Sequence, residues 1–261
     1  MNESVISLVV IDNDGCLIRD EFSTYDLGFV ERMRGFARRA AEAPGRPVPQ
    51  FTFITGRPQP FVECLQKLFC VNIPAIFENG AGLDLGRQSV SALDPRIDDA
   101  ALDRLARARS LLRGTILREI PSFFQPGKDA SVTIIPRDAA DRPRLWEACL
   151  ALAEKEDLGL EVIRGVRGVD LMLPGVDKGT GFDWLVRTMG LAPGQVAGIG
   201  DSRGDLRFLS RCGWNGAPAN AVEEVRAAVT YASSFEAEAG VLDIMERITH
   251  RNAEAACISV S

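Results

Sequence analysis

Val5-Ile6-Ser7-Leu8-Val9-Val10-Ile11-Asp12-Asn13-Asp14-Gly15 decides the fold. Its first seven residues form an almost continuous apolar run rich in β-branched side chains. That pattern suits a central parallel strand buried on both faces. The run ends abruptly in an acidic loop carrying a glycine. Leu27 to Ala43 then reads as a helix, with Leu27, Val30, Met33, Phe36 and Ala37 on one face, and Pro44-Gly45-Arg46-Pro47 stops it. Phe51 to Ile54 is a second short strand, followed by Thr55-Gly56-Arg57-Pro58. Pro58 opens a helix running to about Phe69, a place proline tolerates. Pro74 to Phe77 is a third strand, ending at Glu78-Asn79-Gly80-Ala81. Strands alternating with helices predict an α/β fold: a parallel sheet with helices on both faces.

The pattern changes after Gly82. Residues 98–113 look helical, Thr115–Ile120 and Ser131–Ile135 look like strands, and 139–155 look helical again. Leu160–Arg164 and Val169–Leu173 read as a hairpin around Gly165 to Gly168. Helix-strand-strand, twice, predicts a small antiparallel sheet with helices on one face. Residues 85–173 are therefore read as an inserted α+β domain, and residues 1–84 and 174–261 as the core. Gly82, Gly86, Pro174 and Gly175 punctuate the two crossings. Alternation then resumes with a helix from Lys178 to Met189 and a strand from Val196 to Gly200. Next come Asp201-Ser202-Arg203-Gly204-Asp205, a helix over Leu206–Arg211 and a strand near Cys212–Asn215. Helices over Asn220–Ala228 and Val241–Thr249 complete the chain.

The chain has 261 residues, 46% hydrophobic and 25% charged, with a net charge of −6. These values are ordinary for a globular domain with a sizeable core. No basic excess points to nucleic acid or a membrane surface, and no apolar run is long enough to span a bilayer. Met1-Asn2-Glu3-Ser4 carries no basic leader region. Six irregularly spaced cysteines without a Cys-x-x-Cys pair suit free thiols in a reducing cytoplasm. The single histidine, His250, makes Ser-His-Asp chemistry and multi-histidine metal sites poor expectations.

Chemistry collects at the ends of the expected strands, where open α/β sheets bind ligands. Asp12 and Asp14 leave one loop, so one carboxylate could attack an electrophile while the other moves protons. An acidic turn would explain them too. Asp201 and Asp205 follow the Val196–Gly200 strand; all-oxygen donors favour magnesium, although Asp201 or Ser202 could simply cap a helix. Thr55 and Gly56 offer a hydroxyl and backbone N–H groups that could cradle phosphate. Lys178 opens the helix after the insert, where an ammonium would balance carboxylates and phosphate.

Taken in order, Asp12/Asp14, Thr55, Lys178 and Asp201/Asp205 resemble the haloacid dehalogenase superfamily. The matching segments are Val10-Ile11-Asp12-Asn13-Asp14-Gly15-Cys16-Leu17, Ile54-Thr55-Gly56-Arg57, Asp177-Lys178-Gly179 and Gly200-Asp201-Ser202-Arg203-Gly204-Asp205. An insert between the second and third segments is similar to the Cof-type branch, with its α/β cap over a Rossmann-like core. Glu78-Asn79-Gly80-Ala81 and Asn220-Ala221 also look like family features. The resemblance implies a magnesium-dependent phosphatase of a small phosphorylated metabolite, a sugar phosphate or a phosphorylated organic acid. It implies Asp12 as nucleophile forming an aspartyl-phosphate, and Asp14 as acid and base. Thr55, Gly56 and Lys178 would hold the phosphoryl group, and Asp12, Asp14 through its backbone carbonyl, Asp201 and Asp205 would surround the metal. A phosphomutase and a non-catalytic binding protein are the alternative readings of the same fold. Cys16 stands where the family usually has threonine, and Gly204 where many Cof-type members have asparagine. Arg118, Lys128, Arg164 and Arg167 are the candidate substrate contacts of the cap, although a solvated surface accounts more simply for any one of them. Neither nucleic acid nor a membrane is an expected partner, and the oligomeric state is not written in these residues.

Overall fold

The computed structural model describes residues 4–20, 22–42, 47–86, 91–165 and 167–258. Residues 44–46 of the expected Pro-Gly stop, and residues 1–3 on which the reading of the chain's start rests, lie outside them. β1 (Leu8–Asp12) is buried at every position. α1 (Leu27–Glu42), β2 (Gln50–Ile54), α2 (Gln59–Phe69) and β3 (Ala75–Phe77) follow in the expected alternation. β1 pairs in parallel with β2, setting Asp12 beside Ile54, and with β10 (Val196–Ile199), setting Ile11 beside Ile199. Three of the expected site loops therefore leave adjacent strands at one edge of the sheet.

That sheet has eight strands, in the order β12-β11-β10-β1-β2-β3-β4-β5. β11 (Trp214–Ala217) and β12 (Tyr231–Ala232) extend the parallel part, while β4 (Gly82–Asp84) and β5 (Ser91–Leu93) add an antiparallel margin. Alternation along β1 sends Val9 and Ile11 to one face and Leu8 and Val10 to the other. The first face packs against α1, α2 and α9 (Ala237–Ile258), with Phe51, Phe53 and Phe69 at its centre. The second packs against α6 (Lys178–Thr188), α7 (Leu206–Leu209) and α8 (Glu223–Ala228) through Phe182, Leu185 and Phe208. This double burial is why β1 carries no polar residue before its end.

A second, four-stranded antiparallel sheet has the order β6-β7-β9-β8. It comprises β6 (Ser122–Phe124), β7 (Val132–Pro136), β8 (Glu161–Arg164) and β9 (Val169–Met172). α3 (Asp99–Gly114) and α5 (Arg142–Lys155) cover one face. Two expectations need correction. Ser91–Leu93 belongs to the large sheet, so the crossing into the insert falls after β5 and not at residue 85. Thr115–Ile120 is not a strand: α4 (Ile116–Glu119) occupies it. Leu112, Ile116 and Ile120 recur at intervals of four and are all buried, which is helical periodicity continued from α3. α9 also runs well beyond the expected Val241–Thr249, and β11 begins two residues later than read.

The far end of α9 is tied to the start of the chain. Asn252 is fully buried; its amide donates to the Ile6 and Pro47 carbonyls at 2.8 and 2.9 Å, and its oxygen accepts from the Ile6 N–H at 2.9 Å. Asn252→Ala would strand these backbone groups. We expect it to lower the unfolding free energy by about 2 kcal/mol, read as an earlier urea midpoint. An unchanged midpoint would show that the tie contributes nothing to stability.

Candidate active site

Asp12 ends β1 with its side chain only 7% exposed. One of its oxygens accepts from the Asn13 N–H at 2.8 Å, and the other lies 2.8 Å from Lys178 Nζ. The same ammonium donates to Asp205 Oδ1 at 2.6 Å. Lys178 reaches this position because it opens α6 behind a tight cap: Asp177 accepts from the Thr180 N–H at 3.0 Å. Gly80 allows the approach. It adopts a φ of +102°, and a Cβ there would come within 2.1 Å of the Asp177 carbonyl oxygen.

Asp205 is completely enclosed. Its second oxygen accepts from the Ser202 N–H at 2.8 Å, the Ser202 hydroxyl at 2.7 Å and the Asp201 N–H at 3.2 Å. Burial alone would raise its pKa, but Lys178 and the Ser202 donors outweigh that and hold it below the ordinary carboxylate range. Asp201 differs. Its Oδ1 is buried and unpartnered among the described residues. Burial, then the charge of Asp205, pushes its pKa up to about 7. Asp12 is likewise raised well above the usual range, first by burial and then by Asp205, with Lys178 opposing.

Asp12, Asp201 and Asp205 bring carboxylate oxygens within 4.8 Å of one another. With all three ionised, the single ammonium leaves two negative charges uncompensated, the charge of a divalent cation. The orphaned Asp201 oxygen and the all-oxygen donor set fit a hard cation. Gly15 shapes the same cradle: at φ +84°, any Cβ would fall 2.1 Å from Asp201 Oδ2. The side chain of Asp14 is not part of this cluster. It turns to Arg57, which donates from Nε to Oδ2 at 2.9 Å and from a terminal nitrogen to Oδ1 at 2.5 Å. Burial pulls the Asp14 pKa up, yet the hydrogen bonds and charge of Arg57 bring it below the ordinary value.

Thr55 is fully buried at the end of β2, where its hydroxyl accepts from the Arg57 N–H at 3.1 Å. The loop after β3 straps this turn: Glu78 N–H donates to the Arg57 carbonyl and Asn79 N–H to the Thr55 carbonyl, both at 2.9 Å. Glu78 and Asn79 both sit in the left-handed region, at φ 46° and 56°. That is an uncommon conformation for two consecutive non-glycine residues, tolerated when surroundings over-determine it. The determinant is the insert. Glu78 accepts from the N–H groups of Asp129 and Ala130 at 3.0 and 3.2 Å, and from the Ser131 hydroxyl at 2.6 Å. Arg57 and Glu78 are thus structural keys to which the sequence reading assigned no role. A basic side chain directly after Thr55-Gly56 was the available signal for Arg57. Glu78 had none beyond its family resemblance, because its partners lie some fifty residues away.

The four cationic insert residues do not converge. Arg118 is exposed on α4, in the helical layer. Arg164 stacks 3.8 Å from the centre of the Trp146 ring of α5, on the helix-covered side of the sheet. Arg167 lies over the Phe22 ring at 5.6 Å, joining the β8–β9 turn to the loop after β1. Lys128 is buried against Thr133 and Asp170. Two cavities of about 250 and 690 Å³ lie elsewhere, beside α1 and α9, and none of their lining residues belongs to the acidic cluster.

A family model described as haloacid dehalogenase-like hydrolase matches residues 154–245. The chain is 25% identical over 204 residues to a phosphoglycolate phosphatase of Aeropyrum pernix, covering 78% of this chain and 80% of that one. It is 31% identical over 131 residues to the Escherichia coli 5-amino-6-(5-phospho-D-ribitylamino)uracil phosphatase YbjI, covering 50% of this chain and 45% of that one. A solved structure from Thermoplasma acidophilum superposes with a TM-score of 0.71 at 19% identity, covering 94% of this chain and 99% of that one.

Cys16 is buried beside the cluster, and burial followed by the charges of Asp201, Asp12 and Asp205 raises its thiol pKa well above the ordinary value. A thiolate is therefore disfavoured there. In the folded protein, the exposed Cys64, Cys70 and Cys257 should react with a thiol-specific disulfide reagent, while Cys16 and the buried Cys149 should react only after unfolding. Rapid native-state labelling of Cys16, located by peptide mapping, would contradict this structural role.

Proposed function

The chain belongs to the haloacid dehalogenase-like hydrolases, and from that premise we propose that it is a magnesium-dependent phosphatase of a small phosphorylated metabolite. The observation that carries the reading is the buried Asp12–Lys178–Asp205 bridge with the unpartnered Asp201 oxygen beside it. An anionic nucleophile approaches an anionic phosphate only where positive charge offsets both. The chain supplies part of that charge through Lys178. Magnesium, held by Asp12, Asp201 and the backbone carbonyl of Asp14, would supply the rest as Lewis-acid stabilisation of the transferring phosphoryl oxygens. Asp205, whose oxygens are already taken by Lys178, Ser202 and Asp201, orients those groups from behind.

In the proposed reaction a carboxylate oxygen of Asp12 attacks phosphorus and the bond to the leaving oxygen breaks. Asp14, protonated for this step, gives its proton to the departing alkoxide. A water then attacks the phosphorus of the aspartyl-phosphate, passing a proton to Asp14, and phosphate leaves as the Asp12 carboxylate is restored. Thr55, the Gly56 backbone and Lys178 hold the phosphoryl oxygens. Arg57 follows the phosphate-binding turn and holds Asp14; in the proposed reaction an arriving phosphate would compete for its guanidinium and free Asp14 to take up a proton. The insert acts as a cap: Glu78 clips it over the phosphate-binding turn and excludes water during transfer. Phosphatase names among the relatives support the reaction class. Six free cysteines agree with work in a reducing compartment such as the cytoplasm.

Asp12→Asn keeps shape but removes the attacking charge, and should lower kcat on a phosphate monoester by at least ~10³-fold, roughly 4 kcal/mol of barrier. Near wild-type turnover by a folded Asp12→Asn protein would overturn the nucleophile assignment. Calorimetry without substrate should find magnesium bound by the wild type, with Asp201→Ala weakening it more than Asp205→Ala. Full activity in excess chelator would refute the metal requirement.

A further inference from the structure

The two faces of the four-stranded sheet differ in character. Val132, Ile134, Val169 and Leu171 pack under α3 and α5. Alternation turns Thr133, Asp170 and Met172 the other way. That face roofs the carboxyl edge of the large sheet. Met172 Sδ lies 3.9 Å from Asn79 Nδ2, and the Asn79 amide in turn stands against Gly56, where a Cβ would meet its oxygen at 2.9 Å. Gly127, in the loop before β7, similarly faces Pro58, with 3.6 Å from its Cβ position to the proline ring.

Thr133 and Asp170 are direct cross-strand partners on β7 and β9, the two inner strands, so they occupy the middle of the roof. The Thr133 hydroxyl donates to Asp170 Oδ1. Lys128 Nζ donates to Thr133 Oγ1 at 2.5 Å and lies 3.5 Å from the same Asp170 oxygen. The lysine side chain is sealed at 2% exposure, whereas that of Asp170 keeps 12%. Both contacts fall on Oδ1. Oδ2 takes no hydrogen bond among the described residues, yet it is not one of the buried, unpartnered atoms. Gly165, beside it, has no side chain to cover it; a Cβ there would come within 3.1 Å.

We propose that Asp170 sets substrate specificity: its Oδ2 accepts a hydrogen bond from a hydroxyl of the leaving alcohol, so the preferred substrates are polyol or sugar phosphates and not phosphorylated carboxylic acids. The inference rests on the phosphatase reading above. A fixed carboxylate in a partly dry roof favours an O–H donor through a charge-assisted bond. It disfavours a second carboxylate, which carries like charge and no proton to donate. Lys128 does not reverse the preference, because it lies on the Oδ1 side and is sealed from the crevice, which leaves the acceptor Oδ2 as the edge that a substrate meets. Lys128 and Thr133 are positioning residues that fix Asp170 by occupying Oδ1.

Glycerol 3-phosphate and 3-phosphoglycerate share a three-carbon skeleton and differ in a CH₂OH group against a carboxylate. Calorimetry with magnesium and the Asp12→Asn protein, which leaves both esters intact, gives their relative affinity. We expect glycerol 3-phosphate to bind at least about tenfold more tightly, and Asp170→Asn in the same background to bring the ratio within about twofold or invert it. Should Asp170→Asn fail to fold, Thr133→Val, which releases Oδ1, should lower the preference several-fold. Equal or tighter binding of 3-phosphoglycerate, no binding of glycerol 3-phosphate, or a preference unmoved in the folded variants would overturn the assignment. Wild-type turnover of p-nitrophenyl phosphate, measured in parallel, tests the phosphatase reading separately, since the affinity ratio does not depend on turnover.

Discussion

A single buried ammonium holds the site together. Lys178 is drawn out of water to a place where two carboxylates, Asp12 and Asp205, meet it at 2.8 and 2.6 Å. Burial alone would favour its neutral form, but those partners reverse the balance and raise its pKa. Removing one partner from such a pair costs several kcal/mol, because the other charge is left without compensation. The backbone is shaped around this constraint. Gly80 lets the turn before α6 come close, and the cap at Asp177 fixes the direction in which Lys178 leaves the helix. Three elements far apart in sequence therefore meet with little freedom to shift.

Glu78 applies the same logic between the two sheets. Its carboxylate is buried, which pushes its pKa up, and three donors from the 129–131 segment compensate for the lost water. Because Glu78 N–H also holds the Arg57 carbonyl, one residue couples the cap to the turn that carries Thr55 and Arg57. The cap is thereby tied to Arg57, and through its two hydrogen bonds to Asp14. The strained backbone of Glu78 and Asn79 is the local cost of this coupling.

The core was legible because its signals are local. Double burial wrote itself into Leu8–Ile11 as an apolar run, and the polar residues that break each run fall at one edge of the sheet: Asp12 ends β1, Thr55 follows β2 and Asp201 comes just after β10. The failures share a cause. Thr115–Ile120 is β-branched and apolar enough to suggest a strand, but its period of four is helical and only burial under the cap sheet distinguishes the two. Ser91–Leu93 is too short to declare which sheet it joins. The surroundings of the cap cations were the least legible. Lys128 and Arg164 carry the charge expected of a substrate contact, yet pairing with Asp170 and stacking on Trp146 are tertiary events that no spacing rule encodes.

The position of β1 has a consequence for how the protein is made. Its partner on one side, β2, follows within about forty residues, whereas its partner on the other, β10, pairs Val196 with Leu8. During synthesis this fully buried strand must wait, with one edge unpaired, while the whole cap emerges from the ribosome. An unpaired hydrophobic edge is a template for wrong pairing, and non-local strand contacts form slowly because a long loop must close first. The cap has its own apolar core, on which it could fold during that interval. Doing so would draw the two ends of the insert together and shorten the loop that β1 and β10 have left to close.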